Sequence, residues 1–185
     1  MKKSAVILSG GKNSRMNKKT KAFLKLQDKS FLELELDAIK IFDEIIISCN
    51  EKDLYKDLGY KLVEDEIKDI GPLGGIYTSL KETKYEEVLF IPSDMPFLDE
   101  EFIKKIYESK INKDALIVRV NGKIEPLCSI YKKSSIEKIE KMIKEKNYKL
   151  KDLINNLRVE YLDLKETKKT RNINTLEEYE NLLRK

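Results

Sequence analysis

Residues 6–26 read VILSGGKNSRMNKKTKAFLKL, and their pattern sets the expectations for the rest of the chain. An apolar run ends at Leu8, two glycines follow, and the chain then becomes basic, with Arg15 and Lys21 beyond the turn. Glycines let backbone N–H groups approach phosphate oxygens closely, and a helix turn after them would add donors. The stretch predicts a phosphate-binding loop at a strand end. An ordinary strand-to-helix turn with solvated lysines is the alternative.

The spacing of this loop excludes two common nucleotide-binding motifs. It contains neither GxGxxG nor GxxxxGK[ST], so it is not a dinucleotide fingerprint and not a Walker A loop. Arg15 is one of only a few arginines among many lysines. Because arginine is the better bidentate clamp for an anion, its place inside the loop favours the phosphate-binding interpretation.

Composition limits the class of protein. The chain has 185 residues, of which 41% are hydrophobic and 38% charged, with a net charge of only +4. This length suits one domain over residues 1–185, and the mixed charge is not the clustered basic face that nucleic-acid binding requires. No signal peptide or membrane-spanning segment is recognisable, so we expect a cytoplasmic protein without membrane or nucleic-acid partners.

The sequence contains no histidine, which removes several kinds of catalysis. Ser-His-Asp hydrolysis, Cys-His proteolysis, HExxH zinc sites and histidine general bases are all excluded. Cys49 and Cys128 lie far apart and form no CxxC motif. We expect two reduced, buried thiols with no part in the chemistry.

Short β-rich runs alternate with helical patterns along the chain. Strands are predicted at residues 5–8, 44–48, 60–65, 86–94, 115–120, 126–131 and 157–164. Helices are predicted at residues 31–41, 71–82, 99–110, 134–146 and 175–184, with Ser30 capping the first and a Thr175–Glu178 capping box on the last. This alternation is typical of an α/β fold with a doubly wound, mostly parallel sheet.

In such sheets ligands bind beyond the carboxyl ends of the strands. The glycine loop after the first strand and Asp94 after the fourth both fall there, so we expect them to face one crevice. Pro92 and Pro96 stiffen the segment around Asp94. A rigid carboxylate opposite a phosphate loop is a candidate Mg²⁺ ligand, with a turn or capping aspartate as the alternative.

Four further signals are open to more than one interpretation. The run GPLGGI, residues 71–76, permits either close helix packing or backbone contact with a ligand. Asp65 at a strand end is a candidate contact for a ribose or a base. Asn172 and Asn174 are candidates to reach a metal, phosphates or a second substrate, or they form only a turn; Glu125 is equally ambiguous.

Together these stretches resemble the molybdenum cofactor guanylyltransferase (MobA) family within the Rossmann-like nucleotidyltransferases. The family's LAGGxSxRMGxDK stands here as LSGGKNSRMNKKTK, and its GPLAGI as GPLGGI. PSDMPFL, EPLCSIY and NINTLEEY match its later motifs in the right order. The resemblance covers essentially the whole chain and implies a three-layer αβα fold.

The resemblance also implies roles for individual residues. Lys21 matches the lysine on the triphosphate, Asp94 the magnesium aspartate and Arg15 the arginine of the loop. The positions that match nucleotide contacts are Leu8, Ser9, Gly10, Lys21, Asp65, Asp94 and Asn174, and a family asparagine falls near Ser48 or Asn50. The chain departs from the family at Asn17, Thr20 and Leu176, where glycine, aspartate and proline are usual.

The reaction implied by the family is Mg²⁺-dependent transfer of GMP from GTP to the phosphate of molybdenum-bound molybdopterin, with release of diphosphate. Proteins that insert or chaperone the molybdenum cofactor are implied as partners. Because the nucleophile is already an ionised phosphate, no general base and no histidine are needed. The alternatives are a cytidylyltransferase or a sugar-phosphate nucleotidyltransferase of the same fold, and a non-catalytic nucleotide-binding protein.

Overall fold

A computed structural model describes residues 1–10, 15–16, 19–165 and 168–184. The strands are β1 (Ser4–Leu8), β2 (Arg15–Met16), β3 (Lys19–Thr20), β4 (Lys25–Leu26), β5 (Lys29–Ser30), β6 (Glu44–Ser48), β7 (Lys61–Val63), β8 (Glu87–Pro92), β9 (Ala115–Val120), β10 (Lys123–Ile124), β11 (Ser129–Lys132) and β12 (Val159–Leu164). The helices are α1 (Phe31–Ile39), α2 (Pro72–Glu82), α3 (Glu100–Tyr107), α4 (Ile136–Lys144), α5 (Leu150–Asn156) and α6 (Leu176–Leu183).

The main sheet has eight strands in the order β10-β9-β11-β8-β1-β6-β7, with β12 paired to β9. Strands β8, β1, β6 and β7 are parallel neighbours, and β12 is parallel to β9. Strand β11 runs antiparallel between β8 and β9. The predicted α/β class with a mostly parallel sheet is confirmed.

Helices cover both faces of this sheet, which makes three layers. Alternate side chains of β1 enter different cores: Ala5 and Ile7 pack with α1 and α3, whereas Val6 packs with α2, α4 and α5. All three side chains are completely buried. A parallel strand that is covered on both faces has to be apolar throughout, which explains the continuous apolar run before the glycine loop.

A third, smaller core attaches the C-terminal part of the chain to this sheet. Phe31, at the start of α1, packs with Leu24 and Ile173, and Leu176 and Tyr179 of α6 cover them. Ile173 is fully buried, so the segment between the two asparagines of the final motif is fixed against α1.

Several element boundaries differ from the sequence predictions. Helix α1 ends at Ile39, with Lys40 as its C-cap, and Asp99, predicted as the first residue of its helix, is the N-cap of α3. Helix α5 and the short strand β10 were not predicted. After the glycine loop, the described chain continues through β2, β3 and a 3₁₀ turn, and α1 begins at Phe31. A helix turn directly after the glycines would fall on residues 11–14, which lie outside the described residues.

The capping predictions for two helices are confirmed. Ser30 and Glu33 form a complete capping box on α1, and Thr175 and Glu178 form one on α6. Within the described ranges, no helix has the length and apolar character needed to cross a membrane.

Candidate active site

The carboxyl ends of three parallel strands are aligned at one edge of the sheet. Leu8 of β1 is in register with Pro92 of β8 on one side and Ser48 of β6 on the other. The pairing continues one residue further, since Ser93 N donates to Leu8 O at 3.1 Å and Ser9 N donates to Ser48 O at 2.8 Å. The predicted meeting of the glycine loop and the Asp94 segment at one edge is confirmed.

A lysine, an aspartate and an asparagine from three distant segments meet at this edge. Lys21 lies in the 3₁₀ turn Lys21–Phe23, and its side chain is only 5% exposed. Its Nζ lies 3.7 Å from Oδ2 of Asp94 and donates a 3.3 Å hydrogen bond to Oδ1 of Asn174. A buried ammonium that lies between two side-chain oxygens is positioned to bind an anion that enters from the edge.

Asp94 has one carboxylate oxygen that no described residue contacts by a hydrogen bond. Its Oδ1 is buried and accepts no hydrogen bond from any described residue. Burial raises the pKa of this carboxyl above its usual value, although the Lys21 charge acts in the opposite direction. A buried, unpaired carboxylate oxygen beside a cation is unfavourable unless something else binds it.

The donor set around Asp94 fits Mg²⁺ better than a metal enclosed by protein ligands. No group of three or more His, Cys, Asp or Glu side chains that could hold a metal occurs in the described part of the chain. Magnesium binds one or two carboxylates and takes its other ligands from water and substrate phosphates. The buried, unpaired Oδ1 of Asp94 has the chemistry of such a ligand.

The two asparagines of the final motif approach Asp94 through the backbone. Ile173 N donates to Asp94 O at 2.9 Å, which fixes the segment between Asn172 and Asn174 beside the aspartate. Oδ1 of Asn172 is buried and has no partner among the described residues. The α6 capping box continues this anchoring, since Asn174 N donates to Glu178 Oε2 at 2.7 Å.

On the other side of β1, Asp65 pairs with Asn50. Nδ2 of Asn50 donates to Asp65 Oδ2 at 3.3 Å, and Asp65 N donates to Asn50 Oδ1 at 3.3 Å. Burial raises the pKa of Asp65, and hydrogen bonds from Asn50 and Ser48 oppose that rise. Asn50 is therefore the asparagine beside the predicted nucleotide contact, and Ser48 lies next to it.

Two glycines of GPLGGI allow α2 to pack tightly against these residues. A Cβ on Gly75 would lie 2.9 Å from Leu8 Cδ2 and 3.0 Å from Ser48 Oγ. A Cβ on Gly74 would lie 2.9 Å from the backbone oxygen of Ile67. The packing role of GPLGGI is confirmed, while its contact with a ligand stays a prediction.

The predicted nucleotide segment, residues 8–10, is held by internal hydrogen bonds. Ser9 uses its amide on Ser48 O and its Oγ on the hydroxyl of Tyr55, at 2.6 Å. Burial raises the pKa of Tyr55 to about 12, with the hydrogen bond from Ser9 opposing the rise. A Cβ on Gly10 would be 3.4 Å from Asn50 Nδ2, which places Gly10 beside the Asn50–Asp65 pair.

Two further groups of residues were singled out from the sequence, the basic part of the glycine loop and the two cysteines. The backbone of Arg15 belongs to β2, but its side chain, like Gly11 and the lysines of the loop between residues 11 and 19, lies outside the described residues. Cys49 and Cys128 are buried free thiols, as predicted. Burial raises the pKa of Cys49 to about 11 and that of Cys128 to about 12, so both stay protonated.

A cavity of about 510 Å³ adjoins Asn174. It lies towards β9, on the opposite side of β1 from strands β6 and β7, which precede Asn50 and Asp65. Its lining includes Val120, Lys123, Glu125, Lys168, Thr170, Arg171, Asn172 and Asn174. Burial raises the pKa of Glu125, with the Lys123 charge opposing that rise. The sequence did not indicate Lys123 or Lys168, because nothing in their local pattern separates them from the other surface lysines.

The fold, together with the cluster of Lys21, Asp94 and Asn174 at the carboxyl ends of the strands, defines a nucleotidyltransferase of the Rossmann-like class. The chain belongs to the family of MobA-like NTP transferase domains, whose model matches residues 5–161. Over its full length it is 38% identical to a Clostridium perfringens (strain 13 / Type A) protein named probable molybdenum cofactor guanylyltransferase, of which the alignment covers 98%.

Two solved structures show how widely the fold is shared. Molybdopterin-guanine dinucleotide biosynthesis protein A from Archaeoglobus fulgidus superposes with a TM-score of 0.81 at 24% identity, covering 98% of this chain and 97% of that one. The 4-diphosphocytidyl-2C-methyl-D-erythritol synthase from Anaerococcus prevotii superposes with a TM-score of 0.78 at 18% identity, covering 99% and 95%. These likenesses support the fold alone.

Proposed function

We propose that this protein transfers GMP from GTP to the phosphate of molybdenum-bound molybdopterin and releases diphosphate. An oxygen of the acceptor phosphate attacks the α-phosphorus of GTP, and the bond from that phosphorus to the β-phosphate oxygen breaks. The observation that carries the proposal is the buried cluster of Lys21, Asp94 and Asn174 at the strand ends. The full-length similarity to the Clostridium perfringens relative supports the choice of substrates.

The triphosphate is assigned to the Lys21 side of the edge. The ammonium of Lys21 is already desolvated, so it gives a strong interaction with charge that develops on the leaving diphosphate. Asp94 Oδ1 would hold Mg²⁺, which supplies further positive charge to the β- and γ-phosphates when it is bound. Arg15 is assigned to the same phosphates on the basis of its place in the loop motif.

The nucleoside is assigned to the Asn50–Asp65 side. A carboxylate accepts hydrogen bonds from a ribose hydroxyl or from the N–H groups of guanine, and Asp65 lies at the β7 end, three strands from β8. Leu8, Ser9 and Gly10 lie between this group and the Lys21 cluster, so the backbone there would pass beneath the α-phosphate. Gly75 keeps α2 close to Leu8, which shapes the wall of this site.

The acceptor is assigned to the cavity beside Asn174. Lys123, Lys168 and Arg171 line it, and a phosphate-bearing acceptor requires such cations. Asn174 belongs both to the cavity and to the Lys21 cluster. An acceptor phosphate bound in this cavity would therefore be next to the nucleotide phosphates.

The acceptor assignment is tested by measuring diphosphate release from GTP and Mg²⁺ with molybdopterin and, separately, with a panel of sugar phosphates. Molybdopterin should support turnover and the sugar phosphates should not. Turnover only with a sugar phosphate would show that the protein is a sugar-phosphate nucleotidyltransferase of the same fold. Tight GTP binding without release for any acceptor would support a non-catalytic nucleotide-binding protein instead.

A further inference from the structure

Glu35 is an ionisable residue within the buried face of helix α1. Its neighbours one turn away on either side, among them Leu32 and Ile39, are apolar and buried, and Glu35 itself has no exposed surface. Its Oε2 has no hydrogen-bond partner among the described residues. An apolar side chain of the same length would fill this position without the cost of burying a carboxyl group.

The other carboxyl oxygen of Glu35 makes one specific contact. Met95 N donates to Glu35 Oε1 at 3.1 Å. The N–H of Met95 and the C=O of Asp94 belong to the same peptide plane, and the Asp94 oxygen accepts from Ile173 N at 2.9 Å. Both polar groups of the peptide that follows Asp94 are therefore held, one by α1 and one by the segment between the two asparagines.

The orientation of this peptide plane determines where the Asp94 carboxylate lies. The N–H and C=O groups of a trans peptide point in opposite directions within one plane. Hydrogen bonds to both groups therefore fix the rotation of this plane relative to the Cα atom of Asp94. Met95 is 1% exposed, so its amide would have no water to replace a lost acceptor. Ile173 alone would then leave the plane free to tilt about its remaining hydrogen bond.

We propose that Glu35 is a positioning residue that orients the metal-binding carboxylate of Asp94 through the amide of Met95. The inference rests on the proposed function, in which Asp94 binds Mg²⁺ together with the nucleotide. Glu35 does not touch substrate in this account. Partners that orient a metal ligand typically change metal affinity or activity about 10- to 100-fold when they are removed.

The test compares two variants of Glu35 by isothermal titration with GTP, once with Mg²⁺ and once with EDTA. Glu35→Gln keeps an oxygen acceptor for the Met95 amide, whereas Glu35→Met keeps the length of the side chain and removes the acceptor. In Mg²⁺, we expect Glu35→Met to bind GTP about tenfold more weakly than the wild type or Glu35→Gln. In EDTA, the three proteins should bind GTP equally.

A stability control separates positioning from general weakening of the helix. Ile39→Ala removes buried contacts from the same face of α1 without contacting the Met95 amide, and it should keep the full effect of Mg²⁺ on GTP binding. Equal effects of Mg²⁺ on GTP binding in wild type, Glu35→Gln and Glu35→Met would overturn the Glu35 inference and leave the proposed function intact. A folded Glu35→Gln that loses the Mg²⁺ effect would also overturn it, even if Glu35→Met does not fold. A wild type whose GTP affinity does not respond to Mg²⁺ would remove the metal assignment as well.

Discussion

The ammonium nitrogen of Lys21 lies 3.7 Å from Oδ2 of Asp94, although the two residues come from different segments of the chain. At this distance the charges attract, but the pair is longer than a direct hydrogen bond. Oδ1 of Asp94 is left without a partner in the described part of the molecule. The pair is therefore open to ligands, and each residue is tested below by its own substitution.

Asp94→Asn should keep the fold and lower turnover by at least about a hundredfold, since the loss of one charge-stabilising group costs roughly 3 kcal/mol of barrier. The amide has nearly the same shape but is a poor magnesium ligand. Steady-state diphosphate release and a melting curve measure the two effects. Near-normal turnover with an unchanged magnesium requirement would remove Asp94 from the mechanism.

Lys21→Met should weaken GTP binding about tenfold or more, because a hydrogen bond to a charged group contributes roughly 1.5–3 kcal/mol. Methionine keeps most of the buried stem and removes only the ammonium. The control is Lys25→Ala, a substitution of an exposed lysine in the same segment. The measurement is calorimetric titration with GTP. Equal affinities for Lys21→Met and the control would show that Lys21 does not bind the triphosphate.

Gly74→Ala and Gly75→Ala should separate packing from ligand binding. At Gly74 the new methyl group meets a backbone oxygen, which cannot move cheaply, so stability should fall by about 1–3 kcal/mol. At Gly75 it meets the end of the Leu8 side chain, which can move, so stability should change less and GTP binding should weaken. Urea unfolding and titration are the measurements. The reverse order of the two stabilities would contradict this account of the α2 contact.

Glu35 and Glu33 on the same helix should show opposite pH dependences. Complete burial raises the pKa of Glu35 well above its ordinary value of 4.5, although the hydrogen bond from the Met95 amide opposes the rise and Asp94 adds to it. Hydrogen bonds from the Ser30 side chain and backbone lower the pKa of Glu33. The folded state thus favours the neutral form of Glu35 and the ionised form of Glu33.

The sign of each effect on stability follows from these shifts. A raised folded-state pKa means that stability is lost as pH rises above the unfolded value, so Glu35→Gln should gain stability relative to wild type as pH rises above 4.5. A lowered folded-state pKa means that the ionised group stabilises the fold and that this stability is lost as pH falls. Because Glu33→Gln lacks this group, its stability relative to wild type should decrease as pH rises towards 4.5. Urea unfolding at several pH values measures both. Parallel trends for the two variants would contradict the assigned environments.

The strands at the centre of the sheet could be predicted from the sequence because burial on both faces requires unbroken apolar runs. Asp94 and the glycine loop could be placed together since parallel strands end at one edge. The direction of β11 could not be predicted, because antiparallel and parallel neighbours of a buried strand share the same apolar pattern.

The parts of the site that depend on contacts between distant segments were harder to predict. The hydrogen bond from Lys21 to Asn174 joins residues that are distant in sequence and that the third core brings together. Asn50 was predicted only as one of two positions, because a strand end identifies a region and not a side chain. Glu35 did leave a signal, since a carboxylate with apolar residues one turn before and after it interrupts the buried face of a helix.

The choice of base tests the central claim most directly. A site that binds the donor and acceptor edge of guanine leaves buried polar groups unpaired with another base, and such mismatches discriminate by orders of magnitude. The measurement is diphosphate release with Mg²⁺ and molybdopterin, using GTP, CTP, ATP and UTP in turn. The account predicts that kcat/KM for GTP exceeds that for each of the others by at least about a hundredfold. A preference for CTP would contradict it and make the protein a cytidylyltransferase with the same fold and metal site.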